Sequence, residues 1–248
     1  MEGGEKVLEL NRIYNMDAIE GLKQIESESI DLVFTDPPYK LVAGGRKNSL
    51  LRNNDGENPF TTDGECFNFK TPEFHDWIPL LYPIVKESRY IFIMSNDRNM
   101  RKIWDECEKA GFIFCELLVM NKGYGVPSSY FYKSCEYILM FRKGGYRKFE
   151  KFGYKNVIDV KMQKGKNKCH PTQKPYELIV PIIESCTKEK EVVLDPFMGS
   201  CITAKVAEDM NRQYIGFEID KDYYEAAQKR LQAVMPQVSM FREVAHEK

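Results

Sequence analysis

No stretch of the chain is apolar for the roughly 20 residues that crossing a bilayer requires, so a membrane-spanning helix is not expected. The opening Met1-Glu2-Gly3-Gly4-Glu5-Lys6 has no apolar core, so a signal peptide is not expected there. Seven cysteines are present, Cys66, Cys107, Cys115, Cys135, Cys169, Cys186 and Cys201, but no two form a C-x-x-C pair. That pattern indicates neither a disulfide framework nor a zinc site. The three histidines, His75, His170 and His246, are far apart, so no metal is expected. A glycine-rich G-x-G-x-x-G turn is missing too, which argues against a dinucleotide. These absences leave an ordinary globular chain of the cytoplasm. Its 43% hydrophobic and 29% charged content is usual for that class, and 248 residues are enough for one domain with a proper core.

Net charge is only −1, but its distribution is uneven. Between Lys133 and Lys174 there are twelve Lys and Arg against Glu136, Glu150 and Asp159, with Tyr137, Phe141, Tyr146, Phe149, Phe152 and Tyr154 among them. A stretch of this kind can track phosphates and stack on bases. A solvated lysine-rich face is the plainer explanation of a charge run alone.

Short β-type runs alternate with amphipathic helical ones. Strands are expected at Ile30 to Thr35, Tyr90 to Met94, Phe112 to Met120, Tyr137 to Phe141, Glu191 to Leu194 and Gln213 to Phe217. Helices are expected at Ala18 to Ile25, Phe74 to Val85, Asn99 to Ala110, Tyr176 to Cys186, Ile202 to Met210 and Tyr223 to Val234. The alternation implies an α/β fold with a doubly wound, mostly parallel sheet. Two stretches break the rhythm, 40–71 and 143–169, and we read the chain, 1–248, as one domain with insertions there.

Asp36-Pro37-Pro38-Tyr39 comes directly after the strand IDLVFT. In open α/β sheets, ligands bind beyond the carboxyl ends of the strands. A base amino group is a poor nucleophile because its lone pair is delocalised into the ring. Acceptors against both of its N–H bonds favour a pyramidal nitrogen with a localised pair. A carboxylate supplies one acceptor and a backbone carbonyl the other. Prolines fix φ and bring no competing N–H, and the tyrosine offers a face for a base. A plain strand-to-loop turn would use similar residue types.

A second strand, Val192-Val193-Leu194, runs into Asp195-Pro196-Phe197-Met198-Gly199-Ser200-Cys201-Ile202-Thr203. Gly199 permits a sharp turn, and Ser200 or Thr203 is expected to cap the next helix, whose N–H groups would suit a carboxylate or phosphate. About twenty residues on, the strand QYIGF ends in Glu218-Ile219-Asp220, where an acidic side chain can bind ribose hydroxyls.

With these motifs in place, the sequence resembles the β group of DNA amino-methyltransferases, whose usual target is the adenine amino group. Asp36-Pro37-Pro38-Tyr39 looks like the family's catalytic motif, His170-Pro171-Thr172-Gln173-Lys174-Pro175 like the motif upstream of the cofactor loop, and Asp195-Pro196-Phe197-Met198-Gly199-Ser200 like the loop itself. The permuted order, catalytic motif first, is that of this group. Asn15-Met16-Asp17-Ala18, Ser95-Asn96 and Glu136-Tyr137-Ile138-Leu139-Met140-Phe141 are weaker echoes.

The resemblance implies S-adenosylmethionine as cofactor and DNA as partner, with a homodimer as a further expectation. Asp36 and the Pro37 carbonyl would hold the target amino group, with Pro38 beside them and Tyr39 stacked on the base. Asp17 and Ala18 would lie near the cofactor adenine, and Glu218 with Ile219 near its ribose. Asp195, Pro196, Phe197, Gly199, Ser200, Cys201 and Thr203 would shape the pocket around its methionine part, together with Asp36, and Thr172 and Lys174 would reach its carboxylate. The family loop usually reads Gly-Ser-Gly-Thr-Thr. Cys201 adds a side chain where the family has none, which carries an expectation of weaker cofactor binding. The target base must flip out of the duplex. Arg46, Lys47, Arg52, Lys148 and Lys151, all in the two insertions, are the expected phosphate contacts. Cytosine-N4 transfer uses the same machinery and is the alternative, ahead of a non-catalytic DNA-binding subunit of the same fold. No Pro-Cys pair is present, which speaks against transfer to cytosine carbon-5.

Overall fold

In the computed structural model, residues 8–38, 71–127, 130–160 and 174–232 are described. The chain divides into two compact units, Met1–Pro37 together with Phe74–Lys248, and Pro38–Glu73. The larger unit holds a single eight-stranded sheet.

Its elements in chain order are β1 Arg12–Tyr14, α1 Ala18–Leu22, β2 Ile30–Thr35, α2 Phe74–Ile84, β3 Val85–Ser95, α3 Met100–Lys109, β4 Ile113–Val126, β5 Lys133–Arg142, β6 Val157–Asp159, α4 Tyr176–Cys186, β7 Val192–Asp195, α5 Ile202–Asp209, β8 Gln213–Phe217 and α6 Lys221–Gln232. The strand order is β1-β8-β7-β2-β3-β5-β4-β6. All neighbours are parallel except β3 with β5 and β4 with β5. The expected doubly wound, mostly parallel architecture is therefore present.

From β2 the chain passes through α2 to β3 on one side, and from β7 through α5 to β8 on the other. Right-handed crossovers in opposite directions put α2 and α5 on opposite faces. Accordingly α2 packs with α1 and α3, and α4 packs with α5. The strand order reverses between β2 and β7, and that is where open α/β sheets bind ligands. β2 is buried at every position, and β7 likewise, because helices cover both faces.

Four elements differ from expectation for visible reasons. β3 begins at Val85 rather than Tyr90, through Lys86-Glu87-Ser88-Arg89, a polar run that reads as a loop. The cause is Asp31 on β2, 1% exposed, which ion-pairs with Lys86 (2.9 Å) and Arg89 (2.7 Å) and holds the polar segment against the sheet. β1 and β6, three residues each, are too short to carry a periodic signal. α6 starts at Lys221 because the Asp220 carboxylate accepts the N–H groups of Asp222 (2.9 Å) and Tyr223 (3.1 Å). Among the described residues, no helix is long and apolar enough to cross a membrane.

Candidate active site at the carboxyl ends of three strands

Asp36, Asp195 and Glu218 lie at or just past the ends of β2, β7 and β8, which are neighbours in the sheet. Parallel pairing sends all three strands the same way, so the three carboxylates emerge at one end.

Asp195 ties the centre together. It is 4% exposed and accepts hydrogen bonds from the hydroxyls of Thr35 (2.9 Å) and Thr203 (2.7 Å) and from the Phe197 N–H (3.1 Å). One carboxylate thus joins β2, β7 and α5. Burial pushes its pKa up to about 7, and the nearby Asp36 charge adds to the rise. The three donors offset only part of it.

The loop after β7 is stitched to β8. Met198 donates its N–H to the Phe217 carbonyl (2.9 Å), and Gly199 donates its N–H to Glu218 Oε2 (2.9 Å). Gly199 has φ +48°, in the left-handed region open to glycine. Glu218 also accepts the Asp220 N–H (2.8 Å). Burial raises its pKa, against the pull of those N–H groups. Each carboxylate oxygen has two acceptor sites, so Glu218 retains capacity for hydroxyl donors.

β1 brings the start of the chain to the same place. Tyr14 accepts the Glu218 N–H (3.0 Å), and the Asn15 amide donates to the carbonyls of Glu218 (2.8 Å) and Ile219 (3.1 Å). Asp17 then caps α1, accepting from the N–H groups of Ile19 (2.8 Å) and Glu20 (3.3 Å), with Ala18 buried behind it. Residues 14–15 and 218–219, distant in sequence, are therefore adjacent, and Asp17 and Ala18 follow next along the chain.

Lys174, expected to reach the cofactor carboxylate, is paired with two carboxylates of the protein itself. Its ammonium, on a side chain 11% exposed, meets Asp36 Oδ2 (2.9 Å) and Glu136 Oε2 (2.7 Å). Lys122 approaches the other Glu136 oxygen at 3.6 Å. Burial raises the Asp36 pKa; Lys174 opposes that rise without cancelling it, and the Glu136 charge adds to it. Burial also works on Glu136, but there Lys174 and Lys122 win, and its carboxyl sits below the usual value. Glu136 is the site residue that sequence reasoning missed. Its signal is an acid opening an otherwise apolar strand, EYILMF.

The helix cap differs from expectation. Neither Ser200 nor Thr203 caps α5: the Thr203 hydroxyl is spent on Asp195, and Ser200 offers its carbonyl to Arg230 (3.0 Å). The N-cap is Cys201, with φ +56° and no side-chain cap. Cys201 adopts the left-handed conformation that a glycine would adopt more easily. Its side chain is fully buried, and the thiol points to the Ala227 carbonyl of α6 (3.4 Å). Phe197 packs edge-on against Trp77 of α2 (5.1 Å), and Pro196 is buried beside Asp195.

Not all expected residues converge. Tyr39, Arg46, Lys47, Arg52 and Thr172 lie outside the described residues. Lys148 and Lys151 are described, and the structure does not bring them to the site. Their segment packs at the opposite, amino ends of the strands. Arg147 pairs with Glu191 just before β7 (3.3 Å), Lys151 with Glu184 of α4 (2.9 Å), and Phe149 packs on Tyr90 (5.4 Å). Lys148 lies over the Phe152 ring (5.4 Å). The physical reason is the preceding strand: β5 runs antiparallel to β3, so the segment after β5 emerges at the wrong end of the sheet.

The sequence matches the family model described as DNA methylase (N6_N4_Mtase) over residues 30–229. It is 32% identical to the type II methyltransferase M.HinfI of Haemophilus influenzae, covering 92% of this chain and 70% of that one. It is 31% identical to the type II methyltransferase M2.DpnII of Streptococcus pneumoniae, covering 89% of each. Among solved structures, that of the M1.HpyAVI–SAM complex is similar at 27% identity, with a TM-score of 0.67 over 90% of this chain and 99% of that one.

Proposed function

The chain belongs to the DNA methylase family, and we propose that it transfers the methyl group of S-adenosylmethionine to the exocyclic amino nitrogen of adenine in DNA. The observation that carries this reading is the position of Asp36. It ends the central strand at the switch point, across from the Asp195 loop, with Glu218 one strand further.

The residues present fit the cofactor. Asp36, Asp195 and Glu218 make an acceptor-rich rim, which suits a molecule bearing a sulfonium, an ammonium and ribose hydroxyls. Glu218 and Ile219 would hold the ribose, Asp17 and Ala18 the adenine side. The loop Asp195, Pro196, Phe197, Gly199, Ser200 and Thr203 would hold the methionine part, with Thr172. When bound, the cofactor supplies an already activated methyl group, so positioning is most of the catalysis.

The Asp36 carboxylate and the Pro37 carbonyl accept the two N–H bonds of the target amino group and localise its lone pair. Pro38 withholds a competing donor, and Tyr39 stacks on the flipped base. The nitrogen would take the methyl group in line as the methyl–sulfur bond of the sulfonium breaks, the sulfur leaving as a neutral thioether. The proton shed by the charged product passes to Asp36, whose raised proton affinity suits that role. Lys174 holds Asp36 through Oδ2 and favours its ionised form, which leaves Oδ1 for the amino hydrogen. Glu136 positions Lys174.

We read 1–248 as one methyltransferase domain with insertions at 40–71 and 143–169. The 40–71 insertion directly follows the catalytic motif in the sequence, and base readout is assigned to it, with Arg46, Lys47 and Arg52 on phosphates. A cytoplasmic modification enzyme, working as the methylating arm of a restriction system and as a homodimer, completes the proposal.

The test is to incubate the protein with radiolabelled S-adenosylmethionine and unmethylated genomic DNA, then digest and separate the nucleosides. Label in N6-methyladenine, absent with Asp36→Ala, is the expected result. Label in N4-methylcytosine would replace the target base, and no label in DNA would overturn the reading.

A further inference from the structure

β4 and β5 form a hairpin that extends past the sheet at the substrate end. Val119 is level with Tyr137 and, through it, with Ser95 at the end of β3. The ladder then continues through Asn121 opposite Cys135 to Val126 opposite Lys133. Glu136, which holds the Lys174–Asp36 pair, sits at the base of this extension. At 3.3 Å per residue, the start of β5 at Lys133 stands roughly 10 Å from Glu136 along the hairpin, and Tyr130 to Tyr132 directly precede it.

The far part of the hairpin is aromatic and exposed. Tyr130 is 92% exposed, Phe131 90% and Tyr132 67%, with Tyr124 and Val126 about half exposed beside them. Scattered single apolar residues on a surface are normal, but three consecutive rings are a patch that marks an interaction site. The local backbone is built around them. A Cβ on Gly125 would lie 2.7 Å from the Cβ of Tyr132, so glycine there admits the tyrosine across the hairpin. Lys122 lies over the Tyr124 ring (6.0 Å), and Lys133 flanks Tyr132.

We propose that Tyr130, Phe131 and Tyr132 form a base-stacking finger that engages the DNA a few base pairs from the flipped adenine. The inference rests on the DNA-methylation reading. A reach of roughly 10 Å or more corresponds to about three base pairs or more at 3.4 Å each, close enough for one bound duplex to meet both sites. Planar rings, two of them with hydroxyl handles, suit unstacked bases, whose faces are sequence-tolerant partners. A second copy of the chain is the poorer occupant. Three rings fully covered supply at most about 450–750 Å², short of the roughly 800 Å² per partner of a stable interface.

The test is steady-state methylation of plasmid DNA prepared from a methylase-deficient host. Stacking strength predicts that Phe131→Ala raises the KM for DNA about tenfold, and the triple alanine variant a hundredfold or more. Cofactor affinity, which reads folding of the body, and kcat at saturating DNA stay unchanged, and Phe131→Trp restores the KM. An unchanged KM in the triple variant overturns the proposal. So does a raised KM accompanied by a fall from dimer to monomer in sedimentation, which would make the patch a seam between copies. If the wild-type protein leaves plasmid DNA unlabelled, it is the methylation reading that falls.

Discussion

At the scale of single residues, the ion pairs around Asp36 have opposite effects that one experiment separates. Lys174 lowers the Asp36 pKa and Glu136 raises it. Asp36 must be ionised to accept the amino hydrogen, so activity falls as pH drops through its pKa. Lys174→Met therefore moves the acid limb of the kcat profile to higher pH, with recovery in alkali. Glu136→Gln moves it to lower pH. Limbs that shift together, or not at all, would show that these residues only support the fold. Cys201 makes a second case. Its thiol is engaged with α6, so Cys201→Ala should leave the S-adenosylmethionine Kd within about twofold while costing about 1 kcal/mol of stability. Isothermal titration and urea denaturation measure the two effects independently.

At the scale of elements, close approach outweighs local propensity. In an exposed helix Gly→Ala gains up to about 1 kcal/mol. Gly21 in α1 is different: a Cβ there would lie 2.5 Å from the Phe217 ring of β8. Gly21→Ala is expected to destabilise by about 1–3 kcal/mol, seen as a lower urea midpoint with an unchanged slope. The same elements show what a sequence makes legible. β2, β7 and β8 are short apolar runs closed by acids, and both their existence and their ends are readable. The start of β3 is not, because Lys86 and Arg89 are polar in the chain and only Asp31, from another strand, explains their place. The cap of α5 departs from expectation for a like reason. Thr203 has the right chemistry, but Asp195 claims its hydroxyl. The placement of Lys148 and Lys151 turns on the direction of β5, which their charge does not encode.

At the scale of the whole molecule, three carboxylates from three strands share one buried rim, and each has its pKa raised by burial. A carboxyl group whose pKa is higher folded than unfolded binds more protons in the native state. Its contribution is favourable at low pH and is lost as pH rises through the folded pKa. For Asp195 that window runs from its ordinary value of 3.8 to about 7. The ligand-free protein is therefore expected to lose melting temperature across pH 4 to 7, and Asp195→Asn to flatten that decline. A decline as steep in the variant would place the cause elsewhere.

The same proton makes itself felt calorimetrically. With its pKa pushed up to about 7, Asp195 holds its proton into the neutral range, and a cation settling on the rim favours its ionised form. Uptake of the cofactor would then eject a fraction of a proton into the medium. The apparent heat of binding should accordingly differ between phosphate and Tris at the same pH, in proportion to each buffer's own heat of protonation.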